Sequence, residues 1–110
     1  MRTAVTKKIL TLALFAIALP VAAASGEAEV GKKKSTACAA CHGANGIGIS
    51  PDFPNLAGQY EDYLETALKH YKLGKRKNAI MQGQVANLSQ KDIMDLAAYY
   101  ASLNTLQVKH

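Results

Sequence analysis

Tryptophan is missing from this sequence, and phenylalanine occurs only at Phe15 and Phe53. With five tyrosines as the remaining aromatic stock, the chain cannot build a large aromatic core. Length sets the same limit, because 110 residues allow one domain and exclude a multi-domain enzyme. Long blocks of one charge are absent too; the basic runs stop at three residues, Lys32–Lys34 and Lys75–Lys77. Together with 49% apolar and 19% charged residues, this excludes a disordered tail and a nucleic-acid-binding arm. Beyond the first two dozen residues no alternating or β-branched run occurs, so strands are not expected. There is no internal repeat, and cysteine is limited to two residues.

What is present begins with an address. Arg2, Lys7 and Lys8 form a positive n-region, Ile9 to Leu19 an uncharged apolar h-region, and Val21-Ala22-Ala23-Ala24 the small residues a signal peptidase requires, after Pro20. The apolar run of 11 residues is well short of the roughly 20 that span a bilayer, which argues against a stable membrane anchor. Residues 1–24 are therefore expected to be a cleaved Sec signal peptide, leaving residues 25–110 as the mature domain. No twin-arginine pair occurs in the n-region, so export precedes any cofactor loading. The mature chain keeps ten basic residues against eight acidic, and the formal charge drops from +5 to +2. Nucleic acid is not an expected partner for such a chain, and export points to the bacterial periplasm.

A domain of about 86 residues buries only about 60–65% of its unfolded surface and usually needs a staple, a metal or a buried ligand. Both cysteines fall in Cys38-Ala39-Ala40-Cys41-His42, the spacing used for covalent attachment of c-type haem. Two thiols three positions apart can reach the two vinyl groups of one porphyrin, and the next residue then lies under the iron. His42 is the expected proximal ligand, with its second ring nitrogen donating to an acceptor that fixes its orientation. Other uses of the cysteines stay open but each lacks something. Structural zinc needs four N or S ligands, and only unpaired His70 and His110 remain. A thiol oxidoreductase would set the motif in a βαβ pattern, and a disulfide across so short a loop would add little stability.

The remainder reads as helical. A first helix runs from about Glu27 to the cysteines, interrupted in propensity by Gly31, which suits close approach of another helix. Residues 43–57 form a Gly- and Pro-rich loop. A middle helix spans roughly Gln59 to Leu73, with Tyr60, Tyr63, Leu64, Ala67, Leu68 and Tyr71 on one stripe and Gly74 as its stop. A last helix starts at Ser89, with Asp92 three residues on, and continues to about Ser102. Its face is Ile93, Leu96, Ala97 and Tyr100, with Tyr99 beside it. For a sixth iron ligand the candidates are Met81, Met94, His70 and His110. Met94 and His70 lie inside helices, whereas Met81 occupies a segment, Lys77 to Gly83, without helical period that can fold across the porphyrin. Met81 is the favoured ligand. Lys69, Lys72, Lys75, Arg76 and Lys77 cluster at the end of the middle helix, either as a docking patch for acidic surfaces or as a solvated helix end.

These residues resemble a class I bacterial cytochrome c, especially one half of the two-haem members and their single-haem relatives. The resemblance covers the mature chain through Cys38-Ala39-Ala40-Cys41-His42-Gly43, Phe53-Pro54-Asn55-Leu56-Ala57-Gly58-Gln59, Tyr63-Leu64, Tyr71-Lys72-Leu73-Gly74-Lys75-Arg76, and Ile93 to Tyr100. It implies an all-α fold of three main helices wrapped around one covalently attached haem c. Cys38 and Cys41 would carry the thioethers, and His42 and Met81 the iron. The Pro54 carbonyl would receive the second ring N–H of His42, and Arg76 would sit near the propionates. Gly31 and Tyr99 would mark the crossing of the first and last helices. With one motif in place of two, the chain would carry a single electron and would not be an enzyme. Its partners would be redox proteins: a donor such as a quinol-oxidising cytochrome complex, and an acceptor such as a terminal oxidase or periplasmic reductase. It would act as a monomer. The alternative is a haem module with a labile sixth ligand that binds or senses small molecules.

Overall fold

The computed structural model describes residues 4–21 and 24–104. Arg2, Ala22, Ala23 and His110, named above for the n-region, the cleavage site and as a candidate ligand, lie outside them. Among the described residues there are five helices and no strands: α1 (Ala28–Lys34), α2 (Thr36–His42), α3 (Glu61–Lys72), α4 (Ala79–Val85) and α5 (Gln90–Ser102). Residues 4–21 carry no regular secondary structure.

Two differences from the three-helix expectation stand out. The first helix is broken at Ser35, whose hydroxyl donates to the Lys32 carbonyl at 2.8 Å, so α1 and α2 take separate axes. This is the local competition by which a serine side chain draws backbone groups out of a helix ladder. The segment around Met81, expected to be irregular, is the short helix α4. Asn78 starts it by accepting the Met81 N–H at 3.0 Å, a cap that outweighs the cost of Gly83 inside.

The first and last helices, α1 and α5, cross. A Cβ placed on Gly31 would lie 1.9 Å from the Asp95 carbonyl oxygen and 2.8 Å from the Tyr99 Cβ, so only glycine permits this approach. Polar groups lock the same crossing. The Asp95 side chain is fully buried and accepts from the Glu27 N–H at 2.8 Å, from Lys34 Nζ at 2.8 Å and from Lys91 Nζ at 2.5 Å. A buried carboxylate is tolerable only with such a complement of donors. Lys34 also pairs with Asp92 at 2.7 Å. Asp92 in turn completes the capping box with Ser89: each accepts the other's backbone N–H, at 2.8 and 3.1 Å.

The core is small: Leu64 of α3 packs with Leu96, Ala97, Tyr99 and Tyr100 of α5. The α3 stripe is narrower than its period suggests. Leu64 is buried, but Tyr60, which precedes the helix, is 79% exposed; Tyr63, Ala67 and Tyr71 face a cavity, and Leu68 both lines that cavity and packs against the core. Gly74 ends α3 with φ of +70°, in the left-handed region that glycine adopts without strain.

Replacing Gly31 by alanine gains helix propensity yet overpacks the crossing. The expected net loss is about 1–3 kcal/mol in urea unfolding of the haem-loaded protein. Acid should act at the same place. Lys34 and the Ser89 cap hold the Asp92 carboxyl below its ordinary 3.8, at about 2, and Lys34, Lys91 and the Glu27 N–H hold Asp95 lower still. Both carboxyls are depressed on folding, so they contribute stability above about pH 4; the Asp92 share is lost as pH falls to about 2, and the Asp95 share persists to lower pH. Asp92→Asn should therefore be less stable than wild type at pH 5, with the gap closing by pH 2 in urea titrations.

Candidate functional site

Cys38, Cys41 and His42 lie on α2 at positions i, i+3 and i+4, which places them on one face of the helix. That face forms a wall of a cavity of about 550 Å3 enclosed by α2, α3, α4, α5 and the loop of residues 52–56. The volume falls within the range of roughly 300–1,000 Å3 typical of cofactor sites. Its interior is mainly apolar, with Leu64, Ala67 and Leu68 from α3 and Leu96 and Ala97 from α5. Groups able to bond or ligate stand along the wall, among them both thiols, the His42 ring, the Tyr63 and Tyr71 hydroxyls, Arg76 and the Met81 thioether.

The His42 ring is 7% exposed, and its Nδ1 sits 2.8 Å from the Pro54 carbonyl oxygen. A carbonyl can only accept, so Nδ1 carries the proton and donates it there. The lone pair is then on Nε2, the nitrogen left for a metal. Loop contacts hold this arrangement in place. The Ile49 N–H donates to the Cys41 carbonyl at 3.1 Å, the Gly48 N–H to Asn55 Oδ1 at 2.8 Å, and the Tyr99 hydroxyl to the Ala44 carbonyl at 3.2 Å.

Of the four candidates for a second axial ligand, Met81 lines the same cavity as His42. Met94 is half-buried on α5 and His70 is exposed on α3, and neither is part of the cavity wall. His110 lies outside the described residues. For zinc, no cluster of three or more His, Cys, Asp or Glu side chains forms among the described residues. Arg76 is at the cavity rim, with its guanidinium 4.9 Å from the Tyr71 ring centre and Nη1 3.4 Å from the Tyr63 hydroxyl, to which it donates. The basic cluster is partly spent on internal contacts: Lys69 pairs with Glu65 at 2.5 Å and Lys72 donates to the Leu88 carbonyl. Lys75 and Lys77 remain exposed beside Arg76.

Sequence reasoning placed Tyr100 on the packed face of the last helix without assigning it to a site. Its ring is 3% exposed and lines the cavity, and its hydroxyl has no hydrogen-bond partner. Burial pushes its phenol well above the ordinary value, with the nearby Cys38 thiol adding to the shift. The Cys38 thiol is likewise pushed up by burial. An orphaned buried hydroxyl, two free thiols and an imidazole presenting Nε2 around an apolar space form a donor set suited to a covalently attached porphyrin.

The sequence profile described as Cytochrome c matches residues 28–104. The chain belongs to the cytochrome c family. Cytochrome c-554(548) of Halomonas halodenitrificans is 46% identical over 81 residues, which cover 71% of this chain and 98% of that one. Cytochrome c4 of Pseudomonas aeruginosa is 45% identical over 96 residues, covering 86% of this chain and 48% of that one. Among solved structures, reduced recombinant cytochrome c4 from Pseudomonas stutzeri superposes with a TM-score of 0.70 at 40% identity, covering 73% of this chain and 47% of that one. The chain thus spans about half the length of these two cytochrome c4 relatives, and nearly all of the c-554(548) protein. Family membership brings covalently attached haem c with its iron, and the role of an electron carrier rather than an enzyme.

The cavity sets a condition on folding. The directly packed core, Leu64 against Leu96, Ala97, Tyr99 and Tyr100, is small for a domain of this length, so the apolar wall needs the attached group to complete the interior. A Cys38→Ala/Cys41→Ala double variant, unable to hold haem covalently, should lose most of its helical far-ultraviolet circular dichroism once haem is extracted.

Proposed function

We propose that this chain is an exported, periplasmic, single-haem c-type cytochrome that shuttles one electron between respiratory redox partners, with His42 and Met81 as the axial ligands. The observation that supports this most directly is the pairing of a buried His42, its Nδ1 donated to Pro54, with Met81 in the wall of the same cavity. The haem supplies one-electron redox chemistry at its iron. The chain's own residues do the rest. Cys38 and Cys41 fasten the group to α2, and the Pro54 carbonyl fixes the imidazole plane and raises its basicity. Met81 would hold the iron through a soft, weak donor that favours its reduced state, and the apolar wall of Leu64, Leu68 and Leu96 would disfavour the extra charge of the oxidised state. Arg76, at the rim with Tyr63, is placed to meet a carboxylate of the porphyrin. Held by His42 and Met81 together, the iron would serve electron transfer and not the binding of a small-molecule substrate.

Several features support the cellular reading. Val5, Ile9, Leu10, Leu12, Leu14, Phe15, Ile17, Leu19 and Val21 are all exposed, so the apolar N-terminal run packs against nothing in the folded domain, as suits a leader that is removed. No helix among the described residues is long and apolar enough to cross a membrane. The donor would be a quinol-oxidising cytochrome complex or a similar protein, and the acceptor a terminal oxidase or periplasmic reductase, met transiently by a monomer. The exposed Lys75 and Lys77 beside the cavity rim would give such encounters a salt-dependent on-rate.

Purified from cells with haem-attachment machinery, the protein should have the mass of the chain from about residue 25 plus one haem. It should show a sharp c-type reduced spectrum and a sulfur–iron charge-transfer band when oxidised. Met81→Ala should abolish that band, lower the potential and admit carbon monoxide to the ferrous form. Carbon monoxide binding by the wild type would instead favour the ligand-binding alternative, and a colourless protein would exclude both.

A further inference from the structure

Tyr100 presents a question that the axial ligands do not answer. Its hydroxyl is buried in the cavity wall with no hydrogen-bond partner, a condition that native proteins rarely leave in place. The groups nearest it narrow the choice of partner. Cys38 packs against the cluster to which Tyr100 belongs, whereas Cys41 does not. The Ser35 hydroxyl also lies near; it donates to the Lys32 carbonyl but keeps its lone pairs, so it is the competing acceptor that the test must remove. The ring of Tyr99, 4.9 Å away at 52°, offers no acceptor atom in that direction, because its own hydroxyl is turned to the Ala44 carbonyl.

We propose that Tyr100 is a positioning residue for the attached haem, its hydroxyl donating a hydrogen bond to the sulfur of Cys38 once that sulfur is a thioether. The proposal rests on the reading of Cys38 as an attachment point. Attachment itself creates the match. A free thiol is a weak donor as well as a weak acceptor and competes with the hydroxyl for the donor role. When the thiol adds across a porphyrin vinyl group, the C=C π bond and the S–H are exchanged for a C–S and a C–H bond, and the sulfur keeps its lone pairs and can only accept. A phenol whose ionisation is suppressed by burial stays protonated and can only profit by donating. The bond would hold the Cys38 arm in one rotamer and draw electron density from one of the two thioethers, leaving Cys41 untouched. The two attachment arms of this chain are thereby inequivalent.

The test uses the haem-loaded protein. Resonance Raman spectra should show two distinct haem C–S stretching bands, one of which moves on transfer of the wild type to D2O. In Tyr100→Phe that band should shift and lose its isotope sensitivity while the other stays put. The equilibrium constant for reduction, read by redox titration against a fixed partner couple, should fall about threefold. Ser35→Ala, which removes the competing hydroxyl, should leave both readouts unchanged. The proposal is overturned if neither C–S band responds to D2O, if Tyr100→Phe alters neither band nor potential, or if Ser35→Ala reproduces the Tyr100→Phe change. A wild-type protein with haem and a methionine charge-transfer band but no response to D2O would sink this inference alone. A protein without haem would sink it together with the proposed function.

Discussion

An apolar cavity that no side chain fills is the constraint on which the rest of this structure depends. Four helices and one loop turn their apolar positions towards it, and the directly packed core amounts to little more than Leu64 against Leu96, Ala97, Tyr99 and Tyr100. A chain with no tryptophan can fold in this way only because the porphyrin serves as its largest hydrophobic group. The α3 stripe, read from sequence as a packing surface, is for the most part a cofactor-binding surface. That difference explains why Tyr63 and Tyr71 sit at the border between interior and solvent rather than inside.

Around that cavity the chain divides its tasks by position. The break at Ser35 lets α1 follow α5 while α2 points both cysteines and His42 inwards. Asn78 supports α4 from below, so the backbone at Met81 is fixed by a cap and only its side chain is left to reach. Pro54 is apt as the partner of His42: its ring restricts the loop backbone, and its carbonyl is an acceptor and nothing else. The motif thus obtains its orientation from residues on three separate segments.

Much of this was legible where the cause is local. The spacing of Cys38, Cys41 and His42, the Ser89–Asp92 box and the stop at Gly74 are each contained within a few residues. Gly31 was legible for a different reason, since a poor helix former inside a helix has few explanations. What sequence reasoning missed depends on distant partners. Nothing near Asp95 in the chain announces that Glu27 and Lys34 will bury it, and Tyr60 reads as apolar until the end of α3 leaves it uncovered. The helix at α4 was hidden by Gly83 and by the shortness of its Met81–Val85 face. Tyr100 looked like any other packed aromatic, because an unpaired hydroxyl is a property of the surroundings and leaves no trace in the sequence.

The crossing of α1 and α5 has a kinetic side. Gly31 and Asp95 are 64 positions apart, so the contact that glycine permits and the carboxylate locks joins the two ends of the folded domain. Helical proteins usually fold fast because their contacts are close in sequence. Here the tightest helix pair closes the longest loop the domain has, and the entropy of that closure must be met before the intervening helices gain anything from it. Cross-linking the prosthetic group near one end shortens the search, since a hydrophobic plate fixed to α2 gives α5 a nearby surface on which to condense.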